Sequence, residues 1–177
     1  MSRLAVIGAG YVGLVTAAGL AELGHEVVLA ERDERRLESL RAGAMPIYED
    51  GLEPLVGRHV EGGRLVFEAD NRRAVEAAEF VFLTLPTPPG GDGRADVSAE
   101  EAVVDEVTPV LSDGAVLVVK STVPVGTTAG LRGRARAIRS DVEVVANPEF
   151  LREGSAVTDF LEPDRVVVGG ASADAVA

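Results

Sequence analysis

Residues 4–31 read LAVIGAGYVGLVTAAGLAELGHEVVLAE, and this stretch decides the fold. It begins with an apolar run of strand length, which is followed by a glycine turn with GxGxxG spacing. An apolar segment of helical length then stops at Gly24, and a second apolar strand ends in the acidic residue Glu31. This order of strand, turn, helix and strand predicts a βαβ unit that binds a dinucleotide.

The residues of the turn have separate physical roles. Gly8 permits the tight turn, Gly10 lets the backbone approach a pyrophosphate, and Gly13 lets the helix pack closely on the strand. The pyrophosphate is expected at the helix N-terminus, where free amides and the helix dipole favour an anion. Glu31, 18 positions after Gly13, is predicted to accept hydrogen bonds from the adenosine ribose. The alternative is a purely structural glycine turn followed by a solvated glutamate.

The same glutamate bears on the choice of cofactor. A carboxylate at this place repels the 2′-phosphate of NADP, so NAD is favoured. Arg32, Arg35 and Arg36 argue the other way, because arginine is the residue type that accommodates that phosphate. Glu31 carries more weight because it ends the strand, whereas two of the arginines are also consistent with the exposed face of the next helix.

The rest of the chain continues the alternation of strands and helices. The further predicted strands are EVVLAE, LVFEAD, FVFLTL, GAVLVVK, VEVVA and DRVVVGG. The further predicted helices are RRLESLRAG capped by Asp33, LEPLVGRHV, RRAVEAAE capped by Asp70 or Asn71, AEEAVVDEVTPVL with a capping box of Ser98 and Glu101, and TTAGLRGRARAIR. Short apolar strands between helices predict a parallel sheet covered on both faces, so residues 1–177 are expected to form a doubly wound, Rossmann-like α/β domain.

Composition narrows the possible functions. A net charge of −12 argues against binding to nucleic acid or to an anionic membrane. The chain has no cysteine, which excludes disulfides and thiolate metal sites and favours a reducing, cytoplasmic compartment. His25 and His59 are far apart in sequence, so no metal site is expected. Residues 4–21 carry no charge and could pass for a signal peptide or a membrane span, but their GxGxxG glycines argue against a continuous apolar helix.

Several unusual loops follow the predicted strands, and in such a sheet ligands bind outside the carboxyl ends of the strands. These loops are GAGYVG, LPTPP, KSTVPVG and NPEFLREG, and they are expected to converge on one crevice with Glu31. In NPEFLREG, residues 147–154, the charges of Glu149, Arg152 and Glu153 are either ligand contacts or a local salt-bridged helix start. Lys120 is the only lysine of the chain. It is either a residue of this crevice or a strand-end residue whose ammonium extends to solvent.

Five segments together resemble the NAD-binding half of the UDP-glucose/GDP-mannose dehydrogenase family. They are GAGYVGLVTAAGLAELGHEVV, PIYEDGLEPLV, TPPGGDGRADVS, VKSTVPVGTT and NPEFLREGSAVTDFLEPDRVVVG. The members that oxidise UDP-glucose are the most similar. The resemblance implies oxidation of the C6 alcohol of a nucleotide sugar to a carboxylate with two NAD, through a thiohemiacetal and a thioester on a cysteine.

The resemblance also implies roles for individual positions. It places the NAD contacts at Gly8, Gly10, Tyr11, Val12, Gly13, Glu31, Arg36, Thr87, Thr122 and Glu153. It places the substrate contacts at Glu149, Phe150, Leu151, Arg152 and Glu153. Two of these positions are catalytic: Thr122 helps to hold a water, and Glu153 acts in thioester hydrolysis. In a closing crevice, desolvation would raise the pKa of Glu153 toward that of a useful base, whereas Arg152 beside it would keep it ionised.

The chain is less than half the usual length in this family, so it is expected to be a truncated cofactor domain. The family's nucleophilic cysteine, dimer helix and UDP-binding domain are expected beyond Ala177, and the segment alone is predicted to be inactive. The expected partner is a nucleotide sugar, UDP-glucose first, with a homodimer for the full-length enzyme and the oligomeric state of the segment left open. The alternatives are a GDP-mannose or UDP-N-acetylamino-sugar dehydrogenase, or an NAD-binding module without chemistry.

Overall fold

A sheet of six parallel strands forms the centre of the computed structural model, which describes residues 1–91 and 93–176. The strands are β1 (Arg3–Ile7), β2 (Glu26–Ala30), β3 (Leu65–Glu68), β4 (Phe80–Leu83), β5 (Val116–Val119) and β6 (Glu143–Ala146). Their order across the sheet is β3-β2-β1-β4-β5-β6, and every neighbouring pair is parallel. The doubly wound fold predicted from the sequence is therefore confirmed.

Helices cover both faces of the sheet, as the apolar strands require. They are α1 (Tyr11–Glu22), α2 (Glu34–Arg41), α3 (Leu52–Glu61), α4 (Asn71–Ala74), α5 (Ser98–Val107), a 3₁₀ turn (Thr108–Val110), α6 (Thr127–Ile138), α7 (Ala156–Leu161) and α8 (Ala173–Val176). Within β1, Leu4 and Val6 join the apolar cluster beneath α1 and α3, whereas Ala5 and Ile7 join the cluster beneath α5 and α6. Burying each large side chain of this kind contributes about 1.5–3 kcal/mol, which accounts for strands that are apolar on both faces.

The point at which the strand order reverses lies between β1 and β4. Here the chain leaves β1 toward β2 on one side, while the second half of the sheet is built from β4 outward. Thr84, directly after β4, donates its hydroxyl hydrogen toward the carbonyl oxygens of Ile7 and Gly8, each at 2.9 Å. The glycine turn is therefore fastened to the switch point, which is where ligands bind in sheets of this kind.

The predicted helix RRAVEAAE is shorter in the structure. Asp70 caps it by accepting hydrogen bonds from Arg72 N and Arg73 N, but the helix ends at Ala74. Ala77 then takes a left-handed conformation with φ 60°, which turns the chain toward β4. The prediction was right about the cap and wrong about the second half of the helix.

The predicted capping box at α5 is wrong. The N-cap residue is Val97, and no side chain caps the helix there. The Asp96 carboxylate accepts a hydrogen bond from Ser98 N at 2.9 Å instead. The turn before α5 is therefore stabilised by Asp96, which precedes the helix, and not by the Ser98–Glu101 pair.

The predicted strand DRVVVGG is also wrong. Its only ladder contact in the described part of the chain is an isolated antiparallel bridge between Ala146 and Gly169. Val166 is 67% exposed, so this apolar run lies on the surface beside β6 rather than inside the sheet. Two predicted positions, Asp92 in the loop after β4 and Ala177 at the end of the domain, lie outside the described residues.

Candidate functional site

The glycine turn has the geometry that a dinucleotide pyrophosphate requires. Gly8 has φ +103°, a conformation that strongly favours glycine. A Cβ on Gly13 would lie 1.8 Å from the Gly8 carbonyl oxygen, so only glycine allows α1 to pass this close to the end of β1. A Cβ on Gly10 would meet nothing within 4 Å, which leaves open space in front of the helix. The structure therefore agrees with the turn predicted at Gly8 and the close packing predicted at Gly13, while the approach of a pyrophosphate to Gly10 stays a prediction.

The start of α1 is suited to an anion. Gly10 is its N-cap and supplies no side-chain cap, and its first turn contains no acidic residue. The first amides of the helix are thus free of side-chain acceptors, and the helix dipole adds positive potential. Tyr11 and Val12 occupy the first helical positions and are half-buried at this opening. The observed turn therefore fits NAD, whose pyrophosphate would be held by these amides.

Glu31 lies at the end of β2, close to the glycine turn, and is 8% exposed. Its Oε2 accepts a hydrogen bond from Ala9 N at 3.3 Å and another from the Arg36 guanidinium at 3.2 Å. Its Oε1 accepts a hydrogen bond from Asp33 N at 2.9 Å. The carboxylate is therefore held in place, and Arg36, one of the three arginines that closely follow Glu31 in the sequence, is directed toward it rather than only toward solvent.

The loops after β4 and β5 contact each other. Thr87 Oγ1 donates a hydrogen bond to the Thr122 carbonyl oxygen at 2.9 Å, and the Ser121 hydroxyl accepts from Leu85 N at 2.9 Å. Thr122 itself is exposed at the end of β5. Two positions that the sequence analysis assigned to the cofactor groove, Thr87 and Thr122, are therefore adjacent in space although they are 35 residues apart.

Residues 147–152, which directly follow β6, line an open cavity of about 570 Å³, whereas Glu153 and Gly154 lie outside its lining. The predicted substrate residues Glu149, Phe150, Leu151 and Arg152 all contribute to the lining. Glu149 Oε2 accepts a hydrogen bond from Leu151 N at 2.5 Å, so this carboxylate folds back on its own loop. The cavity is also lined by Leu20 of α1 and by Leu23, which directly follows that helix, so the predicted substrate segment lies beside the C-terminal end of the cofactor helix.

Arg152 has a partner that the sequence analysis did not name. Its guanidinium binds both carboxylate oxygens of Asp159 in α7, with the shorter contact at 2.5 Å. This pair lowers the pKa of Asp159 to about 2, because the Arg152 guanidinium donates hydrogen bonds to the ionised form. The alternative of a local salt-bridged helix start is therefore partly correct, although the partner is Asp159 rather than Glu149 or Glu153.

Glu153 is exposed, and its carboxylate makes no hydrogen bond within the described residues. Arg152 does not hold it, contrary to one of the two expectations from the sequence. The residue lies between Arg152, whose carbonyl oxygen is 3.3 Å from the Tyr11 hydroxyl, and Gly154, which has φ +89°. The Glu153 carboxylate is thus directed to solvent next to the start of α1.

Lys120 is a buried cation at the same end of the sheet, with only 7% of the residue exposed. Its ammonium donates a hydrogen bond to Asn147 Oδ1 at 3.1 Å and lies 5.8 Å from the centre of the Phe160 ring. Burial lowers its pKa, and the nearby Glu149 carboxylate partly opposes that change. The alternative of a lysine that extends to solvent is therefore wrong.

Glu49 lies in the site although the sequence did not single it out. This residue is 5% exposed and contacts both the cofactor helix and the substrate segment through hydrogen bonds to Tyr11 and Gly154. The signal was present, because Glu49 belongs to PIYEDGLEPLV, one of the segments that carry the family resemblance. Nothing in a single carboxylate within a loop indicates that it is buried, and so it was not singled out.

No helix in the described part of the chain is both long enough and apolar enough to cross a membrane. No group of three or more histidine, cysteine, aspartate or glutamate side chains in the described ranges is arranged to hold a metal ion.

Comparison with known proteins agrees with the site. Residues 2–177 match the UDP-glucose/GDP-mannose dehydrogenase family, NAD binding domain, and the chain belongs to this family. It is 48% identical to the UDP-glucose 6-dehydrogenase of Pseudomonas aeruginosa over 98% of the chain and 40% of that protein. It is 46% identical to the UDP-glucose 6-dehydrogenase of Rhizobium meliloti over 94% of the chain and 39% of that protein.

Solved structures extend the comparison. A UDP-glucose dehydrogenase from the archaeon Pyrobaculum islandicum superposes with a TM-score of 0.90 at 45% identity, covering 99% of this chain and 42% of that one. A GDP-mannose dehydrogenase from Pseudomonas aeruginosa superposes with a TM-score of 0.91 at 31% identity, covering 98% and 42%. This chain therefore spans about two fifths of the length of these four relatives, and its cofactor is NAD.

Proposed function

We propose that residues 1–177 are the NAD-binding part of a UDP-glucose 6-dehydrogenase, a longer protein that oxidises the C6 alcohol of UDP-glucose to a carboxylate with two NAD. One observation carries the proposal: the Tyr11 hydroxyl lies 3.3 Å from the Arg152 carbonyl oxygen. This contact joins the first turn of the cofactor helix to the predicted substrate segment. A dinucleotide on the turn and a sugar on the segment would therefore be neighbours.

The choice of sugar rests on the comparisons. The three UDP-glucose dehydrogenases described above are 45–48% identical to this chain, whereas the GDP-mannose dehydrogenase is 31% identical. UDP-glucose is thus the first candidate, and GDP-mannose or a UDP-N-acetylamino sugar is the second. We also propose that the full-length protein is a cytoplasmic homodimer, as the family resemblance and the absence of cysteine from this chain suggest.

The residues of this chain divide the work as follows. The amides at the start of α1 bind the pyrophosphate, and Glu31 accepts hydrogen bonds from the adenosine ribose. NAD supplies the hydride acceptor for each of the two oxidations. Thr122, whose carbonyl is held by Thr87, places its hydroxyl at the end of β5 to hold a water. Glu153 accepts a proton from the water that hydrolyses the thioester. Its carboxylate is exposed beside α1, so a water can reach it.

The test uses both the longer protein that contains this domain and the 177-residue chain. The longer protein is mixed with NAD and UDP-glucose, and the absorbance of NADH is recorded. Two NADH are expected for each sugar oxidised. GDP-mannose and UDP-N-acetylmannosamine are tested in parallel. If either is oxidised faster than UDP-glucose, that sugar nucleotide is the substrate instead. The 177-residue chain is expected to bind NAD when measured by calorimetry. It is expected to show no turnover, because it has no thiolate to form the thiohemiacetal.

Two outcomes would contradict the proposal. Sustained NADH formation by the 177-residue chain would show that the chemistry does not need a second domain. The second outcome combines three results: the parent reading frame encodes no cysteine downstream, the protein binds NAD, and it oxidises no sugar nucleotide. This outcome would favour an NAD-binding module without chemistry.

A further inference from the structure

Glu49 is a buried carboxylate to which the proposed function gives no role. It lies in the loop between α2 and α3, and it is 5% exposed. Its Oε2 accepts hydrogen bonds from the Tyr11 hydroxyl at 2.7 Å and from Gly154 N at 2.8 Å. Its Oε1 accepts a third from Ala156 N at 2.9 Å. A carboxylate leaves water at a high cost unless hydrogen bonds replace the lost solvation, and here three of them do.

The charge state of this carboxylate follows from its contacts. Burial alone would raise the pKa of Glu49, but the hydrogen bonds from Tyr11, Gly154 and Ala156 outweigh burial and the nearby Asp159, and the pKa is lowered. Burial and the Glu49 hydrogen bond also raise the pKa of Tyr11 well above its ordinary value, so its hydroxyl remains a donor. At neutral pH, Glu49 is therefore an ionised acceptor with three donors directed at it.

These contacts fix the backbone on both sides of Glu153. The peptide group before Glu153 contains the Arg152 carbonyl oxygen, which lies 3.3 Å from the Tyr11 hydroxyl. The peptide group after it contains Gly154 N, which donates to Glu49. Two peptide planes that meet at one Cα set the direction of its Cα–Cβ bond, from which the side chain extends. The Tyr11–Glu49 pair thus orients Glu153, although neither residue is near it in sequence.

We propose that Glu49 is a positioning residue: it locks the segment that bears Glu153 onto the first turn of the cofactor helix. This inference rests on the proposed function, in which Glu153 acts on the substrate next to bound NAD. The segment from Asn147 to Ser155 contains no helix or strand of its own, so side-chain contacts must order it. Glu49 connects this segment to α1, although Gly154 lies 105 residues after Glu49 in the chain.

The first test does not depend on activity. Amide exchange of the 177-residue chain is followed by NMR in the parent and in Glu49→Gln, which has nearly the same shape but directs an amide N–H at one of the three donors. The amides of Gly154 and Ala156 are expected to exchange at least about tenfold faster in the variant, because each loses its acceptor for part of the time. Asp50→Asn is the control, since it removes one negative charge from an exposed neighbour in the same loop. Equal exchange in parent and Glu49→Gln would overturn the inference.

The second test is kinetic and uses the longer protein. Glu49→Gln is expected to lower kcat by about 10- to 100-fold, the range for a misplaced group, while the dissociation constant for NAD changes by less than about threefold. A residue that serves stability alone would lower the melting temperature and leave kcat unchanged below it. Unchanged kcat in a folded Glu49→Gln protein would therefore reject a positioning role even if amide exchange rises.

The remaining outcomes are also decisive. If Glu49→Gln does not fold, Tyr11→Phe carries the test, because it removes one donor and leaves the two amide hydrogen bonds to Glu49. A kcat in Tyr11→Phe equal to that of the parent would then reject the inference. A parent protein that oxidises no nucleotide sugar would reject the proposed function instead, while the exchange measurement would still decide whether Glu49 orders the segment.

Discussion

The Lys120 ammonium donates a hydrogen bond to Asn147 Oδ1 across 3.1 Å, and this pair attaches the end of β5 to the segment that follows β6. Asn147 extends the connection, because its Nδ2 donates to the Val167 carbonyl oxygen at 3.0 Å. The sole lysine of the chain is thus a buried anchor at one end of the predicted substrate segment, while Glu49 is the anchor at the other end.

Replacing Lys120 by arginine is expected to destabilise the domain by about 1–3 kcal/mol, since a larger planar group must fit a site with little free surface. Lys120→Met retains the apolar stem and is expected to cost less, because it removes a buried charge together with its hydrogen bond. Urea unfolding of both variants checks this order. Equal stability of Lys120→Arg and the parent would contradict it.

Alanine at two glycines of the turn is expected to have opposite consequences. Gly13→Ala should prevent normal folding, because its Cβ would lie 1.8 Å from the Gly8 carbonyl oxygen. Gly10→Ala should fold, since its Cβ meets nothing within 4 Å, but the methyl would fill the space that the pyrophosphate needs. NAD affinity of Gly10→Ala is expected to fall by at least about tenfold, or 1.4 kcal/mol. Circular dichroism and calorimetry separate the two effects, and a Gly10→Ala protein with parental affinity would place the pyrophosphate elsewhere.

Glu31→Ala is expected to weaken NAD binding by about 1–3 kcal/mol, the range for a lost hydrogen bond to a charged group. Calorimetry measures the change, with Glu34→Ala in the exposed first turn of α2 as the control. Unchanged affinity would remove Glu31 from the site. Tighter binding of NADP than of NAD by the parent would overturn the cofactor preference.

In the longer protein, Glu153→Gln is expected to let an acyl-enzyme accumulate, because the amide cannot take the proton of the hydrolytic water. Mass spectrometry of the quenched variant should find the sugar adduct on a cysteine outside the present chain. Turnover at the parental rate without an adduct would mean that Glu153 has no part in hydrolysis.

The Arg152–Asp159 pair predicts a dependence of stability on pH. The folded pKa of Asp159, about 2, lies below its ordinary value of 3.8, so the folded state binds fewer protons there. The stabilising contribution is therefore present above about pH 4 and is lost as the pH falls toward 2. Unfolding of the parent and of Asp159→Asn should differ at pH 7 and converge near pH 2, with Glu162→Gln as an exposed control. A difference that persists unchanged at pH 2 would contradict the assignment.

The fold was predictable because its determinants are local. Apolar strands with branched residues, the glycine turn and Asp33 as the cap of α2 all act within a few residues, and the structure contains each of them. The errors arose where distant packing overrules local preference. Ala77 turns the chain after α4, and within the described residues the run DRVVVGG pairs with the sheet only through Gly169.

The sequence by itself determined the α/β class, the NAD-binding turn, the acidic end of β2 and the family, because each depends on residue type and spacing along the chain. Only the tertiary structure decided which charges are buried and what they contact. Arg152 donates hydrogen bonds to Asp159, and Lys120 donates one to Asn147. Glu49 accepts hydrogen bonds from two segments of the chain. These partners are up to 107 residues apart, and one-dimensional spacing does not specify which side chains meet when parallel strands bring distant loops to the same edge of a sheet.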